Sequence, residues 1–347
     1  MGSMVSFTSS RVAEVVQEDS QPLGADQVRI HTLYSGISAG TELTAYRGSN
    51  PYLNKRWDED RRLFVDGSTS FEYPVNGWGY EEVGEVVEVG SEVTRVSVGD
   101  RIWGTWGHRS ETIQTEERAA NRILSPGVDA RIGIFSQIGA IGLNVILDAD
   151  IHVGETVVVF GLGVPGQIVA QLARLNGAHV IGVDGIAARR ELALKLGIHE
   201  VLDPADGEVA ERVRAKTGGR GADVCMEVTG NYHALHEAIR TVAYSSRVCV
   251  AGFMQGEGAG LRLGEEFHHN RVAVIASQIS GVAPVLQHRW NEYRLASTAM
   301  QLAAEGKLQL AELISHELPV EEAGFAFTML DTTPQEALQV VLTFEEN

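Results

Sequence analysis

The segment Val157-Val158-Val159-Phe160-Gly161-Leu162-Gly163-Val164-Pro165-Gly166 reads as a buried β-strand that runs into a glycine turn and then a helix. Its glycines fall in the order G-x-G-x-x-G. In that spacing Gly161 permits the tight turn, Gly163 lets the backbone approach a pyrophosphate, and Gly166 lets the helix pack close to the strand. Val164 and Pro165 stand at the mouth of this helix, which is predicted over Gln167–Leu175 and points its free N–H groups at the phosphates. A second strand, His179–Val183, ends in Asp184, 23 residues after Gly161. A carboxylate there binds both ribose hydroxyls and repels a 2′-phosphate, so the pattern predicts NAD rather than NADP.

Working outward, the apolar runs VVVFG, HVIGVD, HEVLD, ADVCMEV, RVCVAGF and VAVIAS alternate with helix-period segments from about Ile138 onward. Six such strands with intervening helices describe a doubly wound parallel sheet and an α/β fold. Loops at the carboxyl ends of parallel strands line the ligand crevice, which makes Thr229-Gly230 and Gly252-Phe253 predicted cofactor contacts. Arg189, five residues after Asp184, is placed to stack on adenine or meet a phosphate. Residues 4 to 136 differ. VRIHTLYSGIS, EEVGEVVEVG and DRIWGTW carry β-branched residues between Gly and Asp punctuation, and few long helical patterns appear. After about Gly281 a helix is predicted over Tyr293–Glu305 and a last strand over Ala337–Phe344. The polar stretch Tyr52–Phe71 reads as a solvated surface loop with local ion pairs, or as a flap over a substrate site.

The chain has 347 residues, 44% of them hydrophobic and 21% charged, which suits two globular domains. A formal net charge of −18 argues against nucleic-acid and anionic-membrane partners, because phosphate binding needs clustered cations. No run approaches the roughly 20 apolar residues of a membrane span. No secretory signal pattern opens the chain, and a cytoplasmic location is expected. Met1-Gly2-Ser3-Met4 reads as a cloning remnant before a native Met4 and is set aside. The two cysteines, Cys225 and Cys249, fall in apolar strand runs and are expected to be buried free thiols.

The order of parts resembles the medium-chain dehydrogenase/reductase superfamily, on SGISAGTE (35–42), GYEEVGEVVEVG (79–90), VGDRIWG (98–104), GETVVVFGLGVPG (154–166) and GKLQLAELISHELPVEEAGFAF (306–327). The resemblance implies a GroES-like β catalytic domain over 1–137, a Rossmann domain over 138–282, and a return to the catalytic domain over 283–347. It also implies that Ser277-Gln278, at the end of the sixth strand, meets the nicotinamide amide. Zinc-dependent members carry Cys, His and Cys or Glu where this chain has Ser38, Tyr80 and Gln137. A hydroxyl, a phenol and an amide are poor zinc ligands, so no metal is expected. In this respect the chain is similar to the zinc-free subgroup that includes bacteriochlorophyllide dehydrogenase-like proteins.

Without a metal, hydrogen-bonding groups must handle the substrate oxygen. Tyr80 takes the place of a ligand and is the first candidate, as a hydrogen-bond donor or, with a lowered pKa, a base. His108 titrates in the useful range. Thr41 matches the family's proton-relaying hydroxyl, Ser38 is a weaker candidate, Glu81 and Gln137 support the site, and Glu42 is an alternative acid/base. The expected activity is zinc-independent, NAD(H)-dependent hydride transfer to or from a secondary alcohol or ketone, such as a polyol, sugar or cyclitol derivative. The alternatives are an NAD(P)H-dependent enone or quinone reductase and a non-catalytic nucleotide-binding protein. The expected partners are a small-molecule substrate and further copies of the chain, as a homodimer or homotetramer paired through the apolar run Val272–Ile279.

Overall fold

The computed structural model describes residues 2–344. It divides into two compact units: unit 1, Met1–Gln137 with Ile314–Asn347, and unit 2, Ile138–Leu313.

Unit 1 opens with strands β1 (Gly2–Ser9), β2 (Val12–Glu18) and β3 (Gln27–Gly36), helix α1 (Glu42–Arg47), and strands β4 (Arg56–Asp58), β5 (Leu63–Val65) and β6 (Val75–Asn76). Strands β7 (Glu82–Val89), β8 (Arg101–Gly104) and β9 (Glu111–Thr115) and helix α2 (Glu116–Ala120) follow. Gly2, Ser3 and Met4 pair with Glu18, Gln17 and Val16. The start set aside as a remnant is therefore part of β1 from Gly2 on. The stretch from Tyr52 to Phe71 is a small β4–β5 hairpin rather than a plain solvated loop. The ion pairs expected there are present, with Arg56 and Arg61 both on Asp58. Tyr52 packs its ring against Phe64 and Phe71, and Trp57 packs against Phe64, which stays exposed at the surface.

Helix α3 (Ser136–Ala149) leads into unit 2. The helical run Ala130–Ala149 is long and apolar enough to cross a membrane by composition, contrary to expectation, but 72% of it is buried. Then come β10 (Thr156–Phe160), α4 (Val164–Leu175), β11 (His179–Val183), α5 (Ala187–Lys195), β12 (Glu200–Leu202), α6 (Val209–Lys216) and β13 (Ala222–Glu227). After these lie α7 (Tyr232–Thr241), β14 (Val242–Val250), α8 (Glu266–His269), β15 (Ala273–Ala276) and α9 (Glu292–Ala304). The six strands form one parallel sheet in the order β12-β11-β10-β13-β14-β15, the doubly wound arrangement read from the sequence. Val157, Val158 and Val159 are wholly buried, as befits a central strand covered on both faces. Cys225 and Cys249 lie buried on neighbouring strands as free thiols.

Unit 1 resumes with β16 (Ile314–Pro319), α10 (Ala323–Thr332) and β17 (Gln339–Thr343). This return begins at Ile314, later than the expected 283. Residues up to 313 stay with unit 2 because α9 buries Leu295, Ala299 and Met300. Gly139 on α3 abuts Ala299 so closely that a Cβ would stand 2.7 Å from the alanine methyl. Gln309 is also tied to Gln171 of α4 by two hydrogen bonds. The returning β17 completes the sheet β16-β17-β3-β7-β8 and pairs Leu342 with Ser35 and Val341 with Gly36. Phe7, Tyr46 and Phe327 form the aromatic centre of the adjoining core.

Candidate active site

The end of β3, the turn into α1 and the residues just before β7 bring together Ser35, Ser38, Thr41, Glu42, Tyr80, Glu81 and Glu82. Two glycines make this approach possible. A Cβ on Gly36 would stand 2.5 Å from Glu81 Oε2, and Gly79, at φ +135°, carries the chain over His108, whose Nε2 would lie 3.0 Å from an added Cβ.

Three hydroxyls meet at the centre. Ser38 Oγ is 2.5 Å from the Tyr80 hydroxyl, and Tyr80 donates to Thr41 Oγ1 at 3.2 Å. Loss of water, reinforced by Glu81 and Glu42, pushes the Tyr80 phenol above its ordinary range and outweighs the Ser38 and Thr41 hydrogen bonds. A lowered pKa, the condition for Tyr80 to serve as a base near neutrality, is thus the reverse of what its surroundings impose. Tyr80 remains a donor.

Behind the hydroxyls lies a second network, fully buried. Glu42 Oε1 accepts from the Ser38 N–H at 2.9 Å, and Glu42 Oε2 lies 2.6 Å from His108 Nε2. His108 Nδ1 is 2.6 Å from Ser35 Oγ, which donates to Glu82 at 3.3 Å, and the Trp106 N–H donates to Glu82 Oε2 at 2.6 Å. His108 is 0% exposed with both ring nitrogens engaged. It was expected as a substrate-facing acid or base, but it braces Glu42 instead. Burial alone would lower the imidazole; the Glu42 charge and hydrogen bond, with Glu82, overcome this and hold it above its ordinary value. Burial drives Glu82 up to about 7. Burial also drives Glu81 well above the usual carboxylate range, helped by Glu42 and Glu82, and its Oε2 is buried without a hydrogen-bond partner. Gln137 sits half-buried at the start of α3, and among the described residues no hydrogen bond joins it to Ser38 or Tyr80.

In unit 2 the glycine cradle has the geometry a pyrophosphate needs. Gly161 is at φ +94°, a Cβ on Gly166 would sit 1.9 Å from Gly161 O, and nothing but Arg189 and Pro165 comes within 4 Å of one on Gly163. Val164 and Pro165 form the first turn of α4, with Gly163 as its N-cap. A cavity of about 690 Å³ opens at the carboxyl ends of the strands, lined by Gly161, Asp184, Arg189, Thr229, Asn231 and neighbours. Asp184 is fixed on its wall by the N–H groups of Leu162 and Ile186, both at 2.8 Å. Gly230, at φ +69°, and Gly252 touch so closely that a Cβ on Gly252 would lie 2.1 Å from Gly230 N. The sequence reading missed Glu227, a buried carboxylate at the end of β13 that accepts from the Thr229 and Gly230 N–H groups and so shapes this turn. Its signal was an acid closing an apolar strand before Thr-Gly. Phe253 is exposed. Ser277 is buried within 3.5 Å of the Asn144 amide, and Gln278 accepts from Ser280 N–H; neither lines the cavity.

Residues 24–153 match the alcohol dehydrogenase GroES-like domain, and residues 164–300 match the zinc-binding dehydrogenase family. D-guloside 3-dehydrogenase of Escherichia coli (strain K12) is 29% identical over 345 residues, covering 97% of this chain and 98% of the relative. Sorbitol dehydrogenase of Halalkalibacterium halodurans is 26% identical, covering 94% and 95%. In fold the chain is similar to 2R,3R-butanediol dehydrogenase from Bacillus subtilis, with a TM-score of 0.79 at 19% identity over 99% of this chain and 100% of that one. A protein from Sinorhizobium meliloti 1021, assigned as a zinc-binding dehydrogenase and bound to NADP, gives 0.79 at 22% identity, with 99% of each chain covered. A GroES-like unit followed by a nucleotide-binding unit, matched in that order, makes this chain a member of the medium-chain dehydrogenase/reductase superfamily, an oxidoreductase of the alcohol-dehydrogenase type.

Proposed function

We propose that this chain is a zinc-independent, NAD(H)-dependent dehydrogenase that interconverts a secondary alcohol and a ketone on a sugar, glycoside or polyol. The observation that carries the reading is the Ser38–Tyr80–Thr41 hydroxyl cluster, in which Ser38 and Tyr80 stand at the motif positions where zinc-dependent members carry ligands and Thr41 at that of the proton-relaying hydroxyl. Zinc selects thiolate, imidazole or carboxylate. This set offers two alcohols, a phenol and the amide of Gln137, with Glu81 its one carboxyl, so its donors are poor ones for the ion.

The Gly161–Gly166 cradle would hold a nicotinamide nucleotide, which would supply or take the hydride. Tyr80 directs its proton at the substrate oxygen, which competes with Thr41 Oγ1 for it. As charge develops on that oxygen Tyr80 gives it its proton, Ser38 Oγ hydrogen-bonds the phenolate left behind, and solvent water returns a proton to Tyr80 after the alcohol leaves. His108 takes no part in this transfer. Its link runs through Glu42 to a backbone N–H of Ser38, which orients the serine but passes no proton. Asp184 favours NAD by presenting negative charge to the cavity that would take the ribose. The names of the relatives, a guloside and a sorbitol dehydrogenase, support a carbohydrate substrate. Strand β15 is a sheet edge with Val274 40% exposed, which supports pairing between copies there.

The test is a panel of hexosides, polyols and their ketones, assayed with NAD(H) and NADP(H). Turnover of a sugar or polyol with NAD(H) is expected. Exclusive reduction of enones, or nucleotide binding with no turnover of any substrate, would overturn the reading.

A further inference from the structure

We propose that His236, Glu265 and Glu266 form a zinc site in unit 2. His236 lies on α7 and is 7% exposed, and neither Nδ1 nor Nε2 has a hydrogen-bond partner. A buried imidazole carries at least one acceptor lone pair and one N–H, and native structures seldom leave both idle. Glu265 precedes α8 and Glu266 opens it. One ligand atom from each of the three residues lies within 4.8 Å of the others.

The outer oxygens of the two carboxylates are already held. Arg262 Nε donates to Glu265 Oε2 at 2.7 Å, and Arg240 Nε donates to Glu266 Oε1 at 3.4 Å. These bonds leave one oxygen of each carboxylate for a ligand, and Glu266 Oε2 is buried without a partner. The arginines thus do for these carboxylates what hydrogen-bonding neighbours do around metal-bound ones: they fix which oxygen turns inward. One imidazole nitrogen and two carboxylate oxygens make a zinc donor set, with bonds of about 2.0–2.2 Å that a modest closing of the three side chains reaches. The two carboxylates match the charge of a divalent ion, Arg240 beside them is shared with Glu208 and Glu237, Arg262 adds one positive charge, and water completes the tetrahedron. Magnesium, which seeks about six oxygens in an octahedron, is poorly served by an imidazole. The ion would pin α8 to α7, whose first turns contribute His233, Ala234 and Glu237 to the nucleotide cavity.

The experiment uses the full-length protein, stripped with chelator, desalted, and titrated with zinc chloride or magnesium chloride by calorimetry and by thermal melting. The expected result is one tight zinc per chain that raises the melting temperature, with no response to magnesium. Glu266→Gln, which keeps the side-chain shape, is expected to weaken zinc binding at least tenfold, and His236→Ala to abolish it. Stripped protein that takes no zinc would overturn the proposal. So would an unchanged equivalent of zinc in both variants, which would place the ion elsewhere in the chain. Glu266→Gln keeps the test readable if His236→Ala folds poorly.

Discussion

Ser38 Oγ and the Tyr80 hydroxyl lie 2.5 Å apart, and Tyr80 turns its own proton toward Thr41. Two residues 42 positions apart in sequence are joined through a donor that burial keeps protonated. Replacing Tyr80 by Phe removes that donor and little volume. We expect kcat/KM for ketone reduction to fall by about 10²- to 10⁴-fold, the range of a positioned proton donor, while NADH affinity, measured by fluorescence titration, stays within twofold.

The same raised phenol sets the pH dependence of the reverse reaction. Alcohol oxidation needs a group that accepts a proton, and the deprotonated fraction of Tyr80 grows about tenfold per pH unit below its pKa. Oxidation at saturating NAD should therefore accelerate steadily through the alkaline range without a plateau near neutrality. In steady-state assays a plateau at pH 7 would assign the base to another group.

Asp184 is held by the Leu162 and Ile186 amides against the cavity wall. Asp184→Asn removes the charge that opposes a 2′-phosphate. We expect the NAD-over-NADP ratio of kcat/KM to drop by roughly tenfold or more, since like charges set against each other cost on the order of several kcal/mol. An unchanged ratio would show that selectivity is set elsewhere.

Much of unit 2 is legible in the sequence. Buried parallel strands must be apolar, β-branched and short, so their order shows directly from Val157 to Ala276, and the glycine spacing marks the cradle. Unit 1 is less transparent, because its site is assembled across sequence. Glu42 and His108 are 66 residues apart, and nothing in either motif says that one buries the other. His108 looked functional because histidines titrate near neutrality, but burial and two hydrogen bonds give it a bracing role. The return to unit 1 was misplaced because α9 carries the same amphipathic pattern whichever unit it packs against. The cluster at His236 has no motif spacing at all.

The Glu42–His108 pair should therefore affect stability more than chemistry. Breaking a buried charged pair by removing one partner costs about 3–5 kcal/mol. His108→Ala should lower the thermal midpoint markedly, while the folded fraction at low temperature, quantified by active-site titration, keeps kcat within about tenfold. Complete loss of kcat in folded protein would restore a direct catalytic role for the imidazole.

Glu82, at about 7, retains its proton in the folded chain from the unfolded value near 4.5 up to neutrality. Its contribution to stability is full below about 4.5 and is lost as pH rises through 7, on the order of 3 kcal/mol across that window. His108, also raised, acts with the same sign above its ordinary value. The melting temperature of Glu82→Gln should fall less between pH 5 and pH 7.5 (about the span of this titration) than that of the native chain, even if the variant is less stable at every pH.

The most direct measurement is the initial rate of ketone reduction by protein stripped of metal, verified as zinc-free by mass spectrometry, and then given one equivalent of zinc. It is made on the native chain and on Glu266→Gln, so that an ion bound at His236 cannot confuse the outcome. A hydroxyl site predicts the same rate, within twofold, with and without zinc in both proteins. Turnover that vanishes on stripping and returns with zinc in both proteins would contradict it and put a metal among Ser38, Tyr80 and Glu81.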